Sequence, residues 1–130
     1  MIGSNAYNYI NVLNSAANAS YLRDQVISNN IANVDTPGFK RSDVKFEDYL
    51  KEELSGNNDT MDQAVADINL SNLKGSVYTD ESELSYRLDG NNVDEDTESA
   101  NLAENQIRYY ALLESMTSEF SRIKSVLESK

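Results

Sequence analysis

The chain has 130 residues, 39% of them hydrophobic, and a formal net charge of −11 at pH 7. It contains neither cysteine nor histidine, which excludes disulfides, thiolate metal sites and the commonest general base. Residues 43–98 hold 16 acidic and four basic side chains, so the excess of negative charge lies in the middle of the chain. Such a surface repels nucleic acid and anionic lipid, and no apolar run approaches the length of a membrane span.

A long helix is predicted from about Asn5 to Asn33. Its main seam alternates steps of four and three residues and contains Ala6, Ile10, Leu13, Ala17, Ser20, Asp24, Ile27 and Ile31. A narrower second stripe, seven residues apart, contains Val12, Ala19 and Val26. Because apolar stripes run along two sides, we expect this helix to have neighbours on two sides.

The stretch from Ser28 to Arg41 is predicted to stop that helix and turn the chain. Asparagines at 29, 30 and 33 favour a helix end because their amides bond nearby backbone groups. The only proline, Pro37, is followed by Gly38, and this pair suits the two central positions of a type II turn, the second of which needs a positive φ.

The middle of the chain is less regular. The four-residue spacing of Phe46, Leu50 and Leu54 predicts a short helix within residues 42–54. The scattered apolar residues of 61–73 predict a weak helix or no regular structure. The alternation of apolar and polar residues from Leu84 to Leu88 predicts a short strand. A turn at 89–92 follows it.

A second long helix is predicted from about Glu95 to Glu128. Asp94 is the expected N-cap, and the acidic residues after it favour the positive end of the helix dipole. The predicted seam contains Leu102, Gln106, Tyr109, Leu113, Met116, Phe120, Ile123 and Leu127. We interpret Gln106 as the one polar seam residue, which fixes the register.

The sequence therefore predicts a mainly α-helical protein, in which long N- and C-terminal helices pair antiparallel as a coiled coil. Residues 1–33 form an N-terminal helical arm, and residues 95–130 form a C-terminal helical arm. Residues 34–94 form an irregular acidic segment that begins with the turn and contains a short helix and a short strand.

The acidic residues fit a structural role better than they fit a calcium site or a pair of catalytic carboxylates. A calcium-binding loop beginning at Asp89 would place Val93 at a ligand position and Asp94 where a glycine is required. Adjacent carboxylates such as Glu52 and Glu53 are expected by chance in so acidic a chain. We therefore expect no enzyme activity, no metal and no cofactor.

Two runs closely resemble the N-terminal motif of bacterial flagellar axial proteins, the rod and hook subunits. The matching residues include Asn29, Asn30, Ile31, Ala32, Asn33, Thr36, Pro37, Gly38, Phe39 and Lys40. Residues 86–94 and 101–109 are similar to the subunits of the proximal rod, and the short chain fits these better than the distal rod or hook subunits.

The resemblance implies a structural subunit of the flagellar basal body, exported by the flagellar type III apparatus without signal cleavage. It also implies helical assembly through the terminal helices into a hollow, torque-transmitting shaft. Expected partners are copies of the chain, other rod subunits and FliE, which joins the rod to the membrane-embedded base. The expected subunit-packing residues are Ile10, Leu13, Ala17, Ile27, Ile31, Leu102, Tyr109, Leu113, Met116, Phe120, Ile123 and Leu127. A cytoplasmic coiled-coil adaptor is the alternative, and a small acidic hydrolase is a weaker one.

Overall fold

A computed structural model of the chain describes residues 2–56, 60–82 and 87–129, with side chains from residue 6 onward. The elements in chain order are α1 (Ile2–Ala32), β1 (Ser42–Lys45), α2 (Glu47–Leu54), α3 (Met61–Ala66), a 3₁₀ turn (Leu70–Asn72), β2 (Ser76–Thr79) and α4 (Glu95–Glu128). The mainly α-helical prediction is confirmed. Within the described residues, no helix is both long enough and apolar enough to cross a membrane.

The two long helices lie antiparallel along their lengths. Near the end of α1, Asn30 contacts Glu98 at the start of α4, with 3.2 Å between the hydrogen-bonded atoms. Two turns earlier in α1, the rings of Tyr21 and Tyr109 lie with their centroids 6.5 Å apart. In the contacting pairs, the residue number therefore decreases along α1 as it increases along α4, which is the antiparallel arrangement that the sequence predicts.

The predicted seam of α1 faces inward, whereas half of the predicted seam of α4 does not. Ile10, Ala17 and Ile27 are buried. On α4, Leu102, Tyr109, Met116 and Ile123 are half-buried, but Gln106, Leu113, Phe120 and Leu127 are exposed. Asn105, which is only 3% exposed, takes the inward position assigned to Gln106. The seam prediction was wrong at these alternate positions because α4 carries two neighbouring stripes and only one of them faces α1.

The second stripe of α1 packs against the middle of its own chain. Ala19 joins Phe46 and Leu73 in a buried cluster, against which Val12 and Leu50 are packed. The helix therefore has neighbours on two sides within one subunit. Close packing also explains a glycine before β2, since a Cβ at Gly75 would lie 3.1 Å from the Val44 side chain.

Strands β1 and β2 form a two-stranded antiparallel sheet, in which Ser42 pairs with Thr79 and Lys45 with Ser76. The short helix predicted within residues 42–54 is confirmed as α2, and residues 42–45 before it form a strand that the sequence pattern did not predict. The predicted strand from 84 to 88 falls mostly outside the described residues. Leu88, which is described, lies fully exposed in a turn.

The predicted helix start and turn are confirmed in detail. The Asp94 side chain accepts hydrogen bonds from the backbone N–H groups of Asp96 and Thr97, and α4 has the predicted bounds. Gly38 has a φ of +74°. The backbone N–H of Phe39 donates to the carbonyl of Thr36 at 3.2 Å, which closes the turn.

Candidate assembly surface

The turn at residues 33–39, here called the clasped turn, is held by a segment more than fifty residues later. Asn91 has no exposed surface. Its side-chain nitrogen lies 2.9 Å from the carbonyl oxygen of Asn33, 3.0 Å from that of Val34 and 2.9 Å from that of Thr36. Its side-chain oxygen accepts from the N–H of Val93 at 2.8 Å. The two N–H groups of one amide are thus shared among three carbonyls that directly follow the end of α1.

A second set of contacts joins the clasped turn to residues 87–90. The N–H of Gly38 donates to the carbonyl of Asp89 at 2.8 Å, and the Arg87 guanidinium donates to the carbonyl of Val34. Gly90 has a φ of +79°, and a Cβ built on it would lie 3.8 Å from Cα of Gly38. The two glycine turns therefore fix one another, so the direction in which the chain leaves α1 depends on the segment that precedes α4.

A buried ionic cluster lies next to the clasped turn. Glu98 is 1% exposed, and one of its carboxylate oxygens lies 2.5 Å from Nε of Arg41. Arg41 also pairs with Asp80 at 3.1 Å. Burial alone would lower the pKa of the Arg41 guanidinium, but the hydrogen bond and charge of Glu98, with Asp80, hold this pKa above its usual value. The cluster ties the start of α4 to β1, and each buried charge has a partner.

Asn30 connects this cluster to the sheet. Its side-chain nitrogen donates to the carbonyl of Ser42 at 2.8 Å, and its side-chain oxygen accepts from the N–H of Ser42 at 2.9 Å. The Asn30 amide therefore pairs with β1 as a neighbouring strand would. Among the other motif residues, Ile31, Asn33, Phe39 and Lys40 are half-buried, whereas Asn29, Ala32, Thr36, Pro37 and Gly38 are exposed.

A polar cleft of about 320 Å³ separates α1, β1 and α4. Glu47 pairs there with Arg23 at 2.7 Å and with Arg108 at 3.3 Å. The hydrogen bond from Arg23 lowers the pKa of the Glu47 carboxyl, against the opposing effect of burial. These charges bind one another and hold α1, α2 and α4 together. This arrangement stabilises the fold.

Below the cleft, a polar contact crosses between the long helices. The side-chain nitrogen of Asn105 lies 2.8 Å from the carbonyl oxygen of Ser20 and 2.8 Å from a carboxylate oxygen of Asp24. The side-chain oxygen of Asn105 has no hydrogen-bond partner within the described residues. The two polar residues of the α1 seam thus pair with Asn105, and this pairing fixes how the helices are aligned.

The outward side of α4 carries an apolar stripe without a neighbour in the described part of the chain. This outer stripe contains Tyr110, Leu113, Phe120 and Leu127, with exposed fractions of 69%, 37%, 53% and 65%. Large apolar side chains that are exposed along one side of a helix are typical of surfaces that contact other proteins. Of the predicted packing residues, those of α1 are engaged inside the subunit, whereas Leu113, Phe120 and Leu127 are available outside it.

Sequence reasoning missed three residues that hold this arrangement together: Asn91, Glu98 and Asn105. Glu98 was assigned only to the helix dipole, and Asn91 only to a turn. A polar residue within an apolar four-three pattern was the available signal for Asn105, but that pattern favoured Gln106 instead. No local signal marks Asn91 or Glu98, because their partners lie 55 or more residues away.

Comparison with known proteins agrees with this geometry. A family model described as "Flagella basal body rod protein" matches residues 10–40, which contain most of α1 and the whole clasped turn. The chain is 38% identical to the flagellar basal body rod protein FlgB of Bacillus subtilis, over 88% of this chain and 89% of that protein.

Similar matches extend to distant bacteria. The FlgB of Borreliella burgdorferi is 34% identical over 95% of this chain and 93% of its own length. The FlgB of Escherichia coli is 32% identical over 88% of each chain. Since these relatives are 32–38% identical over 88–95% of this chain, the chain belongs to the family of flagellar basal body rod proteins FlgB.

Proposed function

We propose that this chain is a structural subunit of the proximal rod in the flagellar basal body. Copies of it and other rod subunits assemble helically through their terminal helices into a hollow shaft that transmits torque. The observation that carries this proposal is the outer stripe of α4. It spans residues 110–127, roughly 25 Å at 1.5 Å per residue, and remains exposed after α1 has packed against the other side of α4.

Charge supports the same arrangement. Residues 99–130, which include the outer stripe, contain four acidic and four basic side chains, so this part of the C-terminal arm brings little net charge to a contact between subunits. Residues 43–98 carry a net charge of −12, which favours keeping them apart from their copies. We infer that the two helical arms, 1–33 and 95–130, line the inside of the shaft and that the acidic segment 34–94 lies outside them.

The buried contacts at the clasped turn suit a part that transmits force. Glu98 and Arg41 join α4 to β1, and Asn30 joins α1 to the same strand. The inner helices and the outer segment are thereby coupled by buried groups and do not meet through a flexible linker. A contact between unlike faces of successive subunits then builds an open helix, because such contacts do not close on themselves.

Partners and location follow from this role. We expect the subunit to contact FliE at the base of the rod and to reach its site through the flagellar export apparatus, without a cleaved signal peptide. Its place is the basal body in the cell envelope. The role is structural, without catalysis or a cofactor.

The test compares two charged substitutions on α4 in a flagellated strain that lacks its own FlgB. Phe120→Asp places a charge in the outer stripe, whereas Ser118→Asp places one at an exposed position on another side of the helix. Both positions are exposed in the subunit, so both variants are expected to fold normally.

We expect Ser118→Asp to restore swimming and Phe120→Asp to leave cells without rods in electron micrographs of isolated basal bodies. Equal restoration by both variants would contradict the packing role of the outer stripe. Failure of the unmodified chain to enter basal bodies, together with a discrete dimer in solution, would favour the coiled-coil adaptor.

A further inference from the structure

The two-stranded sheet has one edge covered by the chain and one edge open. The N–H of Asp80 donates to the carbonyl of Arg41 at 2.8 Å. These residues continue the register in which Ser42 pairs with Thr79. In an antiparallel ladder, directly bonded pairs alternate with pairs whose backbone groups point away from each other. The register therefore directs the backbone groups of Val77 and Thr79 away from β1.

Contacts on the far side of β1 confirm this alternation independently. Both backbone groups of Ser42 point toward α1, where the Asn30 amide binds them at 2.8 and 2.9 Å. The carbonyl of Val44 accepts from the Arg23 guanidinium at 2.9 Å. The N–H of Val44 donates to the Asp43 side chain at 2.7 Å. The outward groups of β1 are thus satisfied by side chains of α1 and of Asp43, and that edge is closed.

The opposite edge lacks such partners. All four residues of β2 are exposed, with Val77 at 50% and Tyr78 at 48%. The outward N–H and C=O groups of Val77 and Thr79 make no hydrogen bond within the part of the chain that the structure describes. An exposed strand edge of this kind is a template for a further strand.

We propose that the open edge of β2 binds an extended, basic segment of another rod or basal-body protein, which adds a third strand to the sheet. This inference rests on the proposed function, since the rod is where the chain would meet such a partner. A second copy is the wrong occupant, because pairing β2 with itself would bring together two segments of net charge −12. Glu81, an exposed acid directly after β2, and the negative charge of residues 43–98 favour lysine or arginine beside the added strand.

The short strand is suited to a contact inside an assembly. Four residues offer two outward N–H groups and two outward carbonyls, too few for tight binding between free proteins. Within a rod, neighbouring subunits are held at high effective concentration, so a weak added contact selects position and orientation.

A proline substitution separates the open edge from the internal ladder. Val77→Pro removes an N–H that points outward and leaves the bonds to β1 in place, since proline is tolerated at the edge of a sheet. Tyr78→Pro, the matched control, removes an N–H that faces β1. We expect Val77→Pro to unfold at nearly the same urea concentration as the original chain, and Tyr78→Pro to unfold earlier.

The decisive measurement is amide hydrogen exchange of the unmodified chain, free and in isolated basal bodies. We expect the amides of Val77 and Thr79 to exchange at least tenfold more slowly in basal bodies, whereas the Tyr78 amide is protected in both. Unchanged exchange at Val77 and Thr79 would overturn the added strand even if the chain is present in rods.

A photo-crosslinker at Thr79 that captured a second copy would overturn the assignment of the occupant. Absence of the chain from basal bodies would overturn both the added strand, which needs that setting, and the proposed function.

Discussion

The side-chain nitrogen of Asn30 lies 3.2 Å from a carboxylate oxygen of Glu98, and both side chains are almost completely buried. Asn30 belongs to the N-terminal motif, and Glu98 lies in the first turn of the last helix. The contact therefore joins the two ends of the chain at the point where each long helix meets the middle segment. Because burying a charge is costly without partners, this pair makes the motif depend on α4.

Replacing Glu98 should test that dependence. Glu98→Gln removes the charge opposite Arg41 and is expected to lower the free energy of unfolding by about 3 kcal/mol, since it leaves a buried guanidinium short of its partner. Glu95→Gln, an exposed change in the same helical turn, is the control and should cost less than about 0.5 kcal/mol. Urea unfolding measures both, and equal stabilities would show that the buried cluster is unimportant.

Gly38 should resist substitution because of its backbone conformation alone. A Cβ built at this position has nothing within 4 Å, so only its φ of +74° disfavours a side chain. Gly38→Val is expected to lower stability by about 1–2 kcal/mol, whereas Gly38→Asn should cost less, since asparagine adopts positive φ more readily. Unfolding curves of the two variants would contradict this account if valine proved as stable as asparagine.

Asn91 should be far more important than its place in an acidic loop indicates. Asn91→Ala removes a buried amide that donates to the carbonyls of Asn33, Val34 and Thr36 and accepts from the N–H of Val93. Each carbonyl keeps one other donor, whereas the buried N–H of Val93 loses its acceptor, so we expect a loss of about 1–3 kcal/mol. Asn11→Ala, at an exposed position of α1, is the control and should change stability little. A loss below about 1 kcal/mol for Asn91→Ala would mean that water replaces the amide and that the turn is not clasped.

Stability should fall in acid partly through Glu47. Its pKa is lower in the folded protein than in the unfolded chain, chiefly because Arg23 donates to it. The stabilisation is therefore complete above the unfolded pKa near 4.5 and is lost as pH falls through the folded pKa. We expect the unfolding midpoint of Glu47→Gln to depend less on pH between about 5 and 3 than that of the original chain. Parallel pH curves for the original chain and Glu47→Gln would contradict the role of Glu47.

Local signals predicted the elements whose causes are local. Asp94 and the acids after it set the start of α4, and Pro37 with Gly38 set the turn, because caps and turns depend on a few adjacent residues. The strand Ser42–Lys45 was missed for the opposite reason. Its extended form depends on pairing with β2 and on the Asn30 amide, and the sequence of the four strand residues does not indicate either partner.

The seam of α4 shows a different limit. Hydrophobic spacing identified Leu113 and Phe120 correctly as members of an apolar stripe, but it could not tell which stripe faces α1. The inward stripe passes through Asn105, a polar residue that became identifiable only once Ser20 and Asp24 lay opposite it. An apolar pattern predicts that a helix surface is buried, but it does not predict which neighbour buries it.

The outer stripe of α4 is exposed in the subunit, and we propose that it is buried in the rod. The chain has no cysteine, so single cysteines at Phe120 and Leu127 can be labelled with a maleimide without background. We expect both variants to react rapidly in the free subunit and at least tenfold more slowly in intact isolated rods, with full reactivity regained when the rods are dissociated. Equal labelling of free and assembled protein would contradict the account.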